Sequence, residues 1–237
     1  MSPKAQVSDP RGGMTFSIIA RCPRTGQLGI GAATAVPAVG KLLTHAAAGV
    51  GAVATQARIN PYLGIDGLAL LREGLSAAEV LERLKDTDPC MSQRQVAVID
   101  TQSRVAAWTG EQCLPWSGSI SGDGFSVQGN RLAGPQVLEA AVDALNCTEF
   151  LPLVERLLEA VAAADSVGGD RHGESSATIY VVDREEYPLW DIRVDHHLDP
   201  VSELRRLHKI FEREVLPEIC RMSTRDNPAG AADEDPI

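Results

Sequence analysis

Thr15 directly follows Met14 in the stretch GGMTFSIIARC, and that junction carries the sharpest chemical possibility in this 237-residue chain. A threonine hydroxyl attacks an amide carbonyl only when a base takes its proton, and one such base is the residue's own α-amino group. That amine has an ordinary pKa of about 7.7–8.0, inside the working range. It exists only if Thr15 begins the mature chain. Translation starting at Met14, with that methionine removed ahead of a small side chain, would expose it without self-cleavage. Thr15 is equally a β-branched residue suited to opening a strand. If anything stays joined ahead of it, the mechanism has no base.

Other constellations offer partners. In VQGN, Asn130 follows Gly129 at the end of a short strand; its amide suits an oxyanion donor, though Gly-Asn is also a common turn pair. In ATQA, Gln56 stands in an apolar run and needs a hydrogen-bond partner if buried, whether structural or substrate-facing. The run GGDRHGESSA gathers Asp170, Arg171, His172, Glu174, Ser175 and Ser176 ahead of a strand. Its paired glycines let the backbone approach a ligand closely. Arg171 suits a bidentate clamp on a substrate carboxylate, with Asp170, Glu174 and Ser176 as further substrate contacts. A polar loop holding a local Asp–Arg pair is the plainer account.

Three further features point less far. DHHLD (Asp195 to Asp199) has metal-ligand types, but adjacent His196 and His197 would face opposite sides of a strand. Asp199 also suits a helix cap ahead of Pro200. Cys113 has the type of a nucleophile, and as readily that of a small buried thiol. GVG and GIG fit neither phosphate-loop nor dinucleotide patterns, so we expect no cofactor and no metal.

The elements that must position these residues read as hairpins of strands separated by pairs of helices. Strands are predicted over residues 15–22, 28–36, 49–57, 93–100, 104–110, 125–130, 177–183 and 189–195. Helices are predicted over roughly 61–73, from Ser76 with a Ser76/Glu79 capping box, 134–145, 149–164, and from Pro200. Residues 37–48 read as irregular or a short helix, and 111–124 as a Gly/Ser-rich loop. Hairpins and helix pairs argue for antiparallel sheets covered by helices rather than βαβ crossovers. The expected organisation is a flexible lead-in over 1–13, one domain over 14–217 and a disordered tail over 218–237.

Composition narrows the classes. Hydrophobic residues make up 44%, enough for one large core, and aromatics only 4%, which suits closely packed small-residue layers. The net charge of −10 and the absence of a basic stripe argue against nucleic acid. Five scattered cysteines without CxxC spacing suit free thiols in a reducing compartment. No run approaches the ~18 apolar residues of a membrane span, and the first residues lack the apolar core of a secretory signal. We therefore expect a cytoplasmic protein, with a small-molecule substrate, no membrane partner and association into a dimer or larger.

Several long stretches resemble a bacterial family: TFSIIARCPRTGQLGIGAATAVPAVG, AGVGAVATQARINPYLGIDGLALLREGLSAAEVLERL, RQVAVIDTQSRVAAWTG, CLPWSG, VQGNRLAGPQVLEAA, GGDRHGESSA and HHLDPVSELRRL. It is the domain-of-unknown-function family numbered 1028, placed in the N-terminal-nucleophile (Ntn) hydrolase superfamily. The resemblance runs from Met14 to about Leu207. It implies a four-layer αββα sandwich and, by superfamily analogy alone, amide-bond hydrolysis. It puts the nucleophile position on Thr15. Some relatives in the superfamily carry a lysine after the second strand, and Lys41 lies near that place, which also suits a solvated lysine. The expected function is hydrolysis of a small amide or peptide-like substrate. Thr15 would be the nucleophile, Asn130 or Gln56 the oxyanion donor, and Arg171 with Asp170 would orient substrate. The alternatives are a non-catalytic small-molecule binding protein on the same scaffold and, more weakly, a metal-dependent hydrolase using Asp195, His197 and Asp199.

Overall fold

The computed structural model describes residues 14–168 and 174–231. The chain opens with an antiparallel hairpin of β1 (Thr15–Arg21) and β2 (Leu28–Thr34). β3 (Thr44–Ala47) and β4 (Gly51–Ala57) follow, then helices α1 (Pro61–Arg72) and α2 (Ala77–Thr87). β5 (Arg94–Asp100), β6 (Val105–Thr109), β7 (Gly118–Gly122) and β8 (Phe125–Asn130) lead to α3 (Gln136–Cys147) and α4 (Leu153–Ser166). β9 (Ser176–Val182), β10 (Trp190–Val194), α5 (Pro200–Glu214) and the short α6 (Leu216–Ile219) complete it.

The strands form two antiparallel sheets. One has six strands in the order β10-β9-β2-β1-β8-β7, and the other four in the order β3-β4-β5-β6. Strand periodicity then sorts the side chains into layers. Phe16 and Ile18 of β1 face outward, into a cluster with Leu138 of α3 and Leu157 and Val161 of α4. Ile19, on the opposite face, meets Ile30, Ala52, Ala54 and Ile99 between the sheets. Val53, Val96 and Val98 face outward from the second sheet, onto Leu63 of α1 and Val80 and Leu84 of α2. The result is the αββα order of helices, sheet, sheet, helices that the sequence suggests.

Small residues set the spacing. A Cβ on Gly29 would stand 2.6 Å from Leu157 Cδ1, and one on Gly31 would stand 3.0 Å from Val161 Cγ2. The missing side chains on β2 are what let α4 lie close over it. Local signals also hold where expected. Ser76 caps α2 with Glu79 closing the capping box, and Asp199 caps α5 by accepting from Ser202 N at 3.0 Å ahead of Pro200.

Three segments differ from the sequence reading. β3 (THAA) and β7 (GSISG) are strands where an irregular segment and a loop are predicted. Both lie at a sheet edge, and neither contains a fully buried position. The alternation that marks a strand reports burial of one face, so a half-covered edge strand leaves little trace. Third, residues 218–231, expected as a disordered tail, include the end of α6 and a hydrogen-bonded turn. Ala231 N donates to Arg221 O at 3.0 Å, and Tyr187 Oη donates to Ser223 O at 3.1 Å. The lead-in over 1–13 lies outside the described residues.

Candidate functional site

Period-two alternation puts Thr15, Ser17 and Ile19 of β1 on the face turned toward the second sheet. The register sets Thr15 opposite Thr34 of β2 on one side and Asn130 of β8 on the other. Directly opposed side chains on one sheet face have Cβ atoms about 4.5–5.5 Å apart, so polar residues there come within reach of one another. Thr34 Oγ1 donates to the Met14 carbonyl at 2.7 Å. Its single proton is thereby engaged, so the 2.9 Å contact between the two threonine hydroxyls runs from Thr15 to Thr34. Val36 N donates to the same Thr34 oxygen at 3.3 Å.

Met14 is firmly seated. Its side chain is 2% exposed, in the cluster that holds Phe16, and its carbonyl also accepts from Ala35 N at 3.2 Å. Two donors, the Thr34 hydroxyl and the Ala35 amide, therefore converge on the oxygen of the peptide bond that precedes Thr15.

Thr15, Thr34 and Gln56 open on a cavity of about 180 Å³. The rest of its lining is apolar: residues 36–39, Leu42, Leu43, Ala57 and Ile59. Two of these, Ala38 and Ala57, have φ of 63° and 67°, in the left-handed region that non-glycine residues seldom occupy. Ala38 lies in the turn after β2 and Ala57 ends β4; both line the cavity, and such conformations persist only where the surroundings enforce them. The 36–39 segment is fixed from β9. Ser176 Oγ donates to Val36 O at 2.6 Å and accepts from Val39 N at 3.1 Å, while Ser175 Oγ donates to Ala35 O at 2.8 Å.

Beside the cavity, a chain of buried amides crosses between the sheets. Gln95 of β5 has zero exposure. Its Nε2 lies within hydrogen-bond distance of Gly129 O at 2.8 Å, Thr109 Oγ1 at 2.9 Å and Gly118 O at 3.1 Å. Its Oε1 accepts from Gln56 Nε2 at 2.7 Å and from Asn130 Nδ2 at 3.1 Å. Gln56 Nε2 also reaches Gln128 O at 3.3 Å. Next along β8, Gln128 Nε2 donates to Ser17 Oγ at 2.6 Å and Ser126 Oγ donates to Gln128 Oε1 at 3.0 Å.

The structure thus brings Thr15 and Gln56 to one cavity and sets Asn130 opposite Thr15. Gln56 Nε2 donates to Gln95 Oε1 and Gln128 O, and Asn130 Nδ2 gives one of its two N–H groups to Gln95 Oε1. Ser176 acts on the cavity through the backbone it ties down. Glu174 is buried, and its carboxyl is bonded to Asp165 near the end of α4. Burial, and then the charge of Asp199, raise the pKa of Asp165. Asp170 and Arg171 lie outside the described residues, as does His172. Lys41 is exposed. The Cys113 thiol is half-buried, donates to Arg94 O at 3.3 Å, and has its pKa pushed up by burial. His197 Nδ1 accepts from Asp199 N at 3.0 Å, within the turn that leads to the α5 cap. Among the described residues no group of three His, Cys, Asp or Glu side chains could hold a metal, and no helix is long and apolar enough to cross a membrane.

Gln95, Gln128, Ser17 and Thr34 are not singled out by the sequence reading. A signal was present for two of them: Thr34 and Gln95 are the polar residues at the inward parity of β2 and β5, whose other inward residues, Leu28, Ile30 and Ala32 and Ala97 and Ile99, are apolar.

An αββα sandwich with a hydroxyl at the start of a central strand, open to a cavity between the sheets, is the class of protein these observations define. The chain belongs to the family of unknown function DUF1028, which matches residues 15–204. It is similar to protein SPO2555 from Silicibacter pomeroyi, a crystal structure of the same family. The TM-score is 0.86 at 28% identity, over 94% of this chain and 98% of that one. Anbu, an ancestral β-subunit from Yersinia bercovieri, is similar at a TM-score of 0.38 and 11% identity over 87% of this chain and 97% of that one, too distant to bear on function. No curated protein matches.

Proposed function

We propose that the chain is an Ntn-type hydrolase of a small amide, with Thr15 as nucleophile once the residues ahead of it are removed. The observation that carries this reading is the Thr15 hydroxyl at the cavity, beside two donors that converge on the Met14 carbonyl oxygen. In a chain beginning at Thr15, the freed α-amine takes the hydroxyl proton and the oxygen attacks the substrate's carbonyl carbon. The Ala35 amide and the Thr34 hydroxyl, no longer held by Met14, are donors for the developing oxyanion. The C–N bond breaks, the proton passes to the leaving amine, and an ester on Thr15 remains. Water, deprotonated by the same α-amine, hydrolyses that ester. The start of the family match at residue 15 supports the same starting point.

Expression from Met14, followed by intact-mass measurement, tests the reading. The expected mass lacks Met14, and amide turnover depends on the Thr15 hydroxyl. A retained Met14, or undiminished turnover in Thr15→Ala, overturns it. The burial of Met14 favours a second reading, a non-catalytic small-molecule binding protein on the same scaffold. In that case ligand binding, measured by thermal shift, survives both a retained Met14 and the loss of the Thr15 hydroxyl.

A further inference from the structure

Met14 occupies a second apolar site beside Thr15, separate from the cavity. Residues two apart on a strand share a face, so the Met14 side chain follows Phe16 toward the helices, away from the face that carries the Thr15 hydroxyl. It is 2% exposed, in the apolar cluster that also holds Phe16, Leu132, Leu138 and Leu157, and it does not line the cavity.

The same residue has its carbonyl oxygen held by two donors, Thr34 Oγ1 at 2.7 Å and Ala35 N at 3.2 Å. An acyl group is a carbonyl with a chain behind it. Met14 is such a group, joined to the nitrogen of Thr15, and both of its parts are matched: the oxygen by hydrogen bonds, the chain by apolar neighbours.

Removing Met14 empties both places at once. The Thr34 hydroxyl and the Ala35 amide lose an acceptor, which is costly for donors away from water. An apolar space of this kind stays dry and takes small apolar molecules. A single acyl compound answers both losses. Its chain is limited by what the space holds now, the unbranched run of methionine from Cβ to Cε. Because that side chain is buried to its end, a longer chain meets neighbouring atoms. A carboxylate at the tip would give up its hydration among apolar side chains.

We infer that the seat of Met14, once vacated, is an acyl-binding site for a straight, uncharged aliphatic chain as long as that of methionine. Its vacancy in the working protein rests on the reading in which Thr15 begins the chain; the fit of the seat does not.

Hexanamide matches methionine from the carbonyl carbon to Cε atom for atom, with a methylene in place of sulfur. Binding is measured by ligand-observed NMR on a chain released at residue 15 from an N-terminal fusion, carrying Thr15→Ala so that no amide is consumed. Affinity is expected to rise roughly threefold to fourfold per methylene from acetamide through butanamide to hexanamide, and to rise no further at octanamide. Glutaramate, which ends in a carboxylate, is expected to bind at least roughly tenfold more weakly than hexanamide. The full chain, with Met14 in place, is expected to show no dependence on chain length. A second measurement uses the full chain alone. Met14→Gly empties the seat and keeps the backbone, and ethyl methyl sulfide, the severed side chain itself, is expected to raise the melting temperature of that variant and not of the wild type.

The inference is overturned if acetamide or glutaramate binds as tightly as hexanamide, if octanamide binds more tightly still, if the full chain follows the same series, or if ethyl methyl sulfide leaves Met14→Gly unchanged. Should the series behave as expected while a chain beginning at Thr15 releases no ammonia from hexanamide, the hydrolase reading fails and the acyl site stands. Equal ammonia release from acetamide and hexanamide does the reverse.

Discussion

The layer between the sheets has two ends of opposite character. At one, Ile19, Leu28, Ile30, Ile99 and Val182 form an apolar cluster. At the other, on β1, β2, β4, β5 and β8, stand Thr15, Ser17, Thr34, Gln56, Gln95, Gln128 and Asn130, all buried except the half-buried Thr15. The apolar end gains stability from area removed from water and tolerates any side chain of matching shape. The polar end holds only if each donor meets an acceptor, and its members fix one another's orientation. It is the end that opens on the cavity.

The largest effect expected from breaking this contrast is chemical. In a chain beginning at Thr15, Thr15→Ala lowers amide turnover by roughly 10⁴-fold or more, the scale of removing a nucleophile, with little change in thermal stability. Ammonia release and a melting curve on the same sample check both halves of that statement. Next, Gln95→Leu removes the acceptor shared by Gln56 Nε2 and Asn130 Nδ2 and the amide that faces Gly129 O, Thr109 Oγ1 and Gly118 O. It is expected to cost about 3 kcal/mol or more in urea unfolding, although it adds apolar surface. Ile30→Ala, at the apolar end, is expected to cost about 2–5 kcal/mol through lost burial and the cavity left behind. The two differ in rescue: Ile30→Val restores most of the loss, whereas no aliphatic residue restores Gln95.

A smaller effect concerns pH, on the outer face of β5. Burial pushes the Asp100 carboxyl up. Hydrogen bonds from Ala77 N at 3.1 Å, Arg104 Nε at 2.7 Å, Gln102 N at 2.9 Å and Arg104 N at 3.1 Å outweigh it, leaving the pKa below its ordinary 3.8. A depressed folded-state pKa contributes stability above the unfolded value, and that contribution is lost as pH falls through the folded one. The wild-type chain therefore loses this contribution below about pH 3.8, while Asp100→Asn, less stable at neutral pH, shows a flatter acid limb. Urea midpoints across an acid series measure the difference.

Much of this architecture was legible in the chain itself. The capping box at Ser76, the Asp199–Pro200 helix start and the hairpin of TFSIIAR with LGIGAAT follow from short-range stereochemistry, which needs no distant partner. β3 and β7 were not legible, because a sheet edge is defined by its neighbour and not by its own alternation. In the site, Thr15, Gln56 and Asn130 could be chosen by residue type, but Gln95 passed as one polar residue of an ordinary strand.

By itself, then, the sequence determined the alternation of buried and exposed faces, the positions of caps and turns, and the candidate hydroxyl behind Met14. Those depend on local geometry and on period-two and 3.6-residue patterning. Only the tertiary structure decided that Gln56 of β4 would meet Gln95 of β5 and the backbone of β8 beside Thr15 of β1. A hydrogen bond is fixed by the position and direction of both groups, and strands far apart in sequence are set side by side only when the two sheets pack.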